Sequence, residues 1–122
     1  MIDEAHSIGI GCSSRATAAD VIKLIKHCIG EVAPNTVIAT RDGCSSIGEI
    51  VASTLRLRLM IFPASVLAQI RGVKNYSSIA ETKVGTPSVA EASALAALGP
   101  LARLVLPRQI GCFCTCAVAV LP

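Results

Sequence analysis

The chain has 122 residues, 52% of them hydrophobic and 16% charged, with a net charge of +3. That composition suits one domain over residues 1–122 with a packed core, and is far too apolar for a disordered chain. The mild positive balance lacks the clustered basic stripe of a nucleic-acid binder, and Phe62, Tyr76 and Phe113 are too few and too scattered to stack single-stranded bases.

From the start, Met1-Ile2-Asp3-Glu4 is acidic and shows no leader-like apolar stretch. The longest apolar run, residues 110–121, is shorter than the roughly 18 residues a membrane span needs. A cytoplasmic protein with no membrane partner is expected, and in that compartment the six cysteines read as reduced thiols.

Residues 7–11 form a short apolar run ending in glycines, the pattern of a buried strand. A helix follows, with Val21, Ile25, Cys28 and Val32 on one face; Thr17 and Asp20 mark its start as a capping box. Pro34-Asn35 breaks it, and residues 36–40 (TVIAT) read as a second strand. After a turn-rich loop, Ile47, Ile50, Val51 and Leu55 recur at helical spacing. Residues 57–62 predict a third strand, 64–70 a short helix and 72–85 a long loop. Thr86-Pro87 is expected to open the next helix, with Ser88 and Glu91 as a capping box one register later. Gly99-Pro100 ends it, and residues 101–106 and 115–121 predict two final strands.

Alternating strand and helix implies an α/β fold: three layers, α/β/α, around a mixed, mostly parallel sheet of about five strands. Only about eight residues separate the last two strands, too few for a parallel crossover, so these are expected to pair as an antiparallel hairpin.

Ligands of such sheets gather beyond the carboxyl ends of the parallel strands. Residues 9–14, the segment after the second strand, and Pro107-Arg108 after the fourth are expected on that edge. Two helix N-termini, near Thr17 and Thr86, should join them and present free N–H groups to an anion. The predicted ligand-binding set is Gly9, Gly11, Cys12, Ser13, Ser14, Arg15, Thr86, Ser88 and Arg108, lining one pocket. Gly9-Ile10-Gly11 resembles the opening of a dinucleotide fingerprint, but its third position is Ser14 and no acidic partner follows the second strand. Asp42 and Glu49 are the only acid–base candidates near the edge, and Asp42 equally suits a turn. Cys112, Cys114 and Cys116 would point the same way in extended chain; their spacing is not the usual one for zinc, and buried thiols are expected rather than metal ligands. No cofactor is predicted.

IGIGC at residues 8–12, IATRD at 38–42, VGTPSVAEASAL at 84–95 and the final LVLP (104–107) and AVAV (117–120) resemble the CobE/CbiG C-terminal-domain family, in order and over nearly the whole chain. The resemblance implies a role in cobalamin (vitamin B12) biosynthesis, with an anionic corrin-ring intermediate as partner and other enzymes of the pathway as further partners. CbiG-type proteins open the δ-lactone of cobalt-precorrin-5A and release acetaldehyde, and carry additional N-terminal sequence. A domain without that sequence looks like the stand-alone CobE form. Family members often have a Lys soon after the Asp of the second-strand segment, where this chain reads Gly43-Cys44-Ser45, and Pro-Lys where it has Pro107-Arg108. Arg keeps the charge and can clamp a carboxylate, but serves poorly as a base.

Three readings follow. In the first, the chain binds a corrinoid whose acetate and propionate arms meet the helix ends and Arg15, Arg41, Lys83 and Arg108. In the second it is a lactone hydrolase in which Asp42 or Glu49 assists water. In the third it is a subunit that completes such a site with a partner.

Overall fold

The computed structural model describes residues 6–74, 76–77 and 86–122. β1 (His6–Cys12) is followed by α1 (Ala18–Cys28), β2 (Val37–Arg41), a 3₁₀ turn (Asp42–Cys44), α2 (Ser45–Leu55) and β3 (Arg58–Phe62). Then come α3 (Ala64–Leu67), β4 (Tyr76–Ser77), β5 (Thr86–Pro87), α4 (Val89–Leu98), β6 (Arg103–Ile110) and β7 (Cys114–Val120). The described residues form a five-stranded sheet in the order β3-β2-β1-β7-β6 and a two-stranded one made of β4 and β5.

β1 pairs in parallel with β2, and β2 with β3, while β7 runs antiparallel to both β1 and β6. The sheet is therefore mixed, with four of its five strands pointing the same way. Helices α1 and α2 cover one face and α4 the other, which gives the expected three layers.

Period-two alternation divides the side chains of β1 between those layers. Ile8 and Ile10 join Ile38, Val21, Ile25 and Val51 in a core under α1 and α2. Each of these buried aliphatic side chains contributes about 2 kcal/mol. Helix α1 starts where its sequence says it should: the Thr17 hydroxyl accepts the Asp20 N–H at 3.2 Å, and the Asp20 carboxylate accepts the Thr17 N–H at 3.1 Å.

Ser7 and Gly9 face α4, whose residues Ala90 to Leu95 are all buried. At Gly9 an added Cβ would run into the Ala90 carbonyl and lie 2.7 Å from the Ala94 nitrogen. Helix and strand backbones touch there, and only glycine leaves room. The Ser7 hydroxyl donates to the Ala94 carbonyl at 2.5 Å, and the Ser93 hydroxyl lies 2.6 Å from the Val89 oxygen and 3.2 Å from that of Ala39.

Several boundaries differ from the sequence reading. β1 holds Gly9 and Gly11, as the 7–11 reading has it, but runs one residue further to Cys12, because β7 pairs with β1 as far as Cys12↔Cys114. Thr86-Pro87 is a strand paired with Tyr76-Ser77 and not a first helical turn; α4 is capped by Ser88, whose side chain accepts the Glu91 N–H. Two-residue strands are too short to carry a periodic signal. β6 runs through Pro107 and Arg108 to Ile110, so only Gly111, Cys112 and Phe113 separate it from β7. Pro107 is accommodated because β6 is an edge strand whose register to β7 shifts between Leu106 and Gln109. The antiparallel hairpin itself is as expected.

Candidate functional site

Because β1, β2 and β6 point the same way, their ends share one edge, where β7 begins. Helix α4 leads into β6 and lies against the sheet, so its N-terminus reaches the same edge. A cleft of about 440 Å³ opens there. One wall is the end of β1 with Cys12 and Ser13; another is Arg41 at the end of β2 with Cys44 in the turn that follows. Ser88 and Val89 come from the start of α4, Arg108 and Ile110 from β6, and Phe113, Cys114 and Thr115 from the entry to β7.

Two arginines, Arg41 and Arg108, thus line a cleft that no acidic side chain lines among the described residues. Arg41 is half-buried and its nearest carboxylate is that of its own neighbour Asp42, at 3.8 Å. Apolar surface stands beside the charge, since Phe113 and Ile110 are exposed. Phe113 is held in the left-handed region (φ 61°), and its carbonyl accepts the Ser13 N–H at 2.9 Å, tying the hairpin turn to the end of β1. The Arg15 guanidinium carbon lies 5.9 Å from the centre of its ring, within cation–π range.

Beneath this surface sits a buried carboxylate. Glu91 accepts the Lys74 N–H at 2.9 Å through one oxygen and the Arg108 N–H at 2.8 Å through the other. The strand that carries Arg108 is thereby fastened to the first turn of α4. In the sequence Glu91 looks like a helix cap; its carboxylate is instead a bridge between segments, which spacing cannot reveal.

Cys12 and Cys44 are joined as a disulfide, with Cα atoms 6.3 Å apart. This corrects the expectation that all six cysteines are free thiols. The two positions are 32 residues apart and look unrelated in sequence; they meet because β1 and β2 are adjacent and parallel and end on one edge. Cys28, Cys112, Cys114 and Cys116 are free. Cys114 and Cys116 point into the core, whereas Cys112 is exposed in the hairpin turn. Burial, then the charges of Asp20 and Cys112, pushes the Cys114 thiol up; burial, then Cys28, pushes Cys116 up to about 12. Both are held protonated near neutrality. Among the described residues no group of three or more His, Cys, Asp or Glu could hold a metal ion, and no helix is long and apolar enough to cross a membrane.

The cobalamin synthesis G C-terminus family matches residues 6–119. The chain belongs to that family. A solved cobalamin biosynthesis protein chiG from Agrobacterium tumefaciens is 26% identical, with 95% of this chain and 98% of that one aligned at a TM-score of 0.69. The solved structure of CobE, a protein from the cobalamin (vitamin B12) biosynthetic pathway, is 25% identical, with 99% and 93% coverage and a TM-score of 0.82. No curated protein matches the chain in sequence.

In this cobalamin synthesis G C-terminal domain, five of the predicted ligand-binding residues line the one cleft: Gly11, Cys12, Ser13, Ser88 and Arg108. Gly9 does not, being consumed by contact with α4. Ser14 lines an adjoining cavity of about 330 Å³ together with Arg41, Gly43 and Cys44. Arg15 does not line the cleft, but its guanidinium carbon lies 5.9 Å from the ring of Phe113, which does. Thr86 lies in β5 with its side chain outside the described residues, and Lys83 is itself outside them. Neither Asp42 nor Glu49 lines the cleft; both are exposed, Asp42 beside Arg41 and Glu49 on α2. Arg41, Cys44, Ile110, Phe113 and Glu91 complete the site beyond the predicted set. Only Arg41, a cation at the end of a parallel strand, had a sequence signal of its own.

Proposed function

We propose that this chain binds an anionic corrin-ring intermediate of cobalamin biosynthesis in the cleft at the carboxyl edge of the sheet. The observation that carries the reading is the pairing of Arg41 and Arg108 with Phe113 and Ile110 around one opening that no carboxylate lines among the described residues. Such a surface suits a partly apolar macrocycle edged with acetate and propionate arms: the guanidinium groups clamp carboxylates and the exposed rim covers ring surface. A cleft of about 440 Å³ takes an edge of the macrocycle rather than the whole. Ser88 caps the α4 terminus at its base, where helix N–H groups favour negative charge.

Binding is favoured over lactone hydrolysis because the cleft is lined by two arginines and apolar surface, while no His, Lys, Asp or Glu side chain lines it among the described residues. A visible-absorbance titration with a series of pathway intermediates tests the reading, since these macrocycles are coloured. Saturable binding is expected, and Arg108→Ala is expected to weaken it by about 1.5–3 kcal/mol, the range of a charge-assisted hydrogen bond. Unchanged affinity in a folded Arg108→Ala protein would remove Arg108 from the site. A failure of every intermediate to bind would overturn the reading, and release of acetaldehyde during the titration would replace it with the hydrolase.

A further inference from the structure

We propose that Cys12 and Cys44 are a reversible dithiol–disulfide pair that controls the shape of the cleft, with a small-molecule disulfide such as oxidised glutathione as the oxidant. The geometry that supports a bond is set by the backbone. Cys12 ends β1, Cys44 closes the turn after β2, and their 6.3 Å Cα separation falls in the usual disulfide range of about 4.4–6.8 Å. Both residues line the main cleft, and both also line the smaller cavity beside it. The pair therefore borders two openings, and Cys12 is its accessible member.

The two cysteines differ in access. Cys12 is half-buried, whereas Cys44 is only 5% exposed. Cys12 is accordingly the first to react. Its thiol releases a proton to solvent, and the thiolate attacks one sulfur of the external disulfide; that S–S bond breaks and one small thiolate leaves and takes up a proton. The Cys44 thiolate, its own proton given to solvent, then attacks the Cys12 sulfur and expels the second small thiolate, which is protonated in turn. Two protein thiols are oxidised to a disulfide and one external disulfide is reduced to two thiols, so electrons and protons balance. Cys116 sits in the core, and Cys114, although it borders the cleft, is buried with its thiol pushed up by that burial, so neither competes with Cys44 for the Cys12 sulfur.

The consequence for the cleft follows from what the bond connects. It staples the end of β1 to the turn Asp42–Cys44, and Arg41 is the residue immediately before that turn. In the oxidised state the turn is pinned, and with it Arg41, whose guanidinium packs over Gly43 of that turn and which lines the cleft. In the reduced state the turn is released and two thiols face the opening. This control of ligand binding rests on the cleft being the corrinoid site; the reversibility of the bond does not.

The full chain should be equilibrated across a series of reduced-to-oxidised glutathione ratios, quenched by alkylation and analysed by peptide mass spectrometry. A Cys12–Cys44 crosslinked peptide, lighter by two hydrogen atoms, is expected to appear and vanish within that series. In Cys44→Ser the reaction is expected to stop at a glutathione adduct on Cys12. Alkylation of both cysteines at every ratio would overturn the proposal, and so would a bond that persists at the most reducing ratio. Corrinoid titration of the oxidised and reduced protein then reads the control, with an expected difference in affinity of about tenfold. Equal affinities would overturn the control. Absence of binding in both states would overturn the corrinoid reading and the control built on it, while the peptide analysis still decides whether the pair is reversible.

Discussion

The two faces of the sheet are packed by opposite means. Under α1 and α2, Ile8, Ile10 and Ile38 interlock with Val21, Ile25 and Val51, and the contact is made by branched side chains. Under α4 the sheet presents the small residues Ser7, Gly9, Ala39, Ala117 and Ala119, and at Gly9 the backbones themselves meet. Side chains can change rotamer and give way; a carbonyl against a strand cannot. The first face therefore supplies bulk stability, and the second fixes where α4 starts. Since Ser88 and Glu91 lie in its first turn, the α4 face sets the geometry of the cleft.

That contrast is tested most severely at Gly9. Gly9→Val should destabilise the protein by about 3 kcal/mol or more, because the added atoms meet the Ala90 carbonyl and the Ala94 nitrogen. Ile38→Val, which removes one methylene from the opposite face, should cost only about 1 kcal/mol. Urea denaturation measures both, and similar losses would dissolve the distinction between the faces.

A smaller effect is expected at the junction of α4 with β6. Glu91→Gln keeps the shape of the side chain but turns an N–H toward a backbone donor that it serves, such as Lys74 or Arg108. A loss of about 2 kcal/mol is expected from the donor left unsatisfied, again read by urea denaturation. A neutral result would mean that the α4 face alone holds β6 in place.

A different test, in alkali, concerns the side-chain face. Burial, then Cys28, raises the Cys116 thiol from 9.0 to about 12. Below pH 9 folded and unfolded chains both hold this proton, and the contribution to stability is complete. Between about 9 and about 12 the unfolded thiol ionises while the folded one does not, so stability falls as pH rises, by up to about 1.4 kcal/mol per pH unit. Cys116→Ala should fall less steeply over that window in thermal melts. Equal slopes would place the alkaline loss elsewhere.

Much of the fold was legible in the chain because short-range chemistry specifies it. The Thr17–Asp20 capping box, the alternation of strand and helix, and the closing hairpin depend on neighbours in sequence, and each is present. The convergence of Gly11, Cys12, Ser13, Ser88 and Arg108 on one edge also followed from sequence, since strand direction and helix polarity decide which ends meet. Thr86-Pro87 was misread because proline suits both a first helical turn and a strand end, and pairing with Tyr76-Ser77 chose the strand. What the sequence by itself determined is the order and polarity of the elements, the helix caps and the family motifs, all local properties of the chain. Tertiary structure alone decided that Gly9 serves packing, that Glu91 bridges to Lys74 and Arg108, and that Cys12 meets Cys44. Each of those is a contact between segments distant in sequence, and its partner exists only once neighbouring strands and the helix above them are in place.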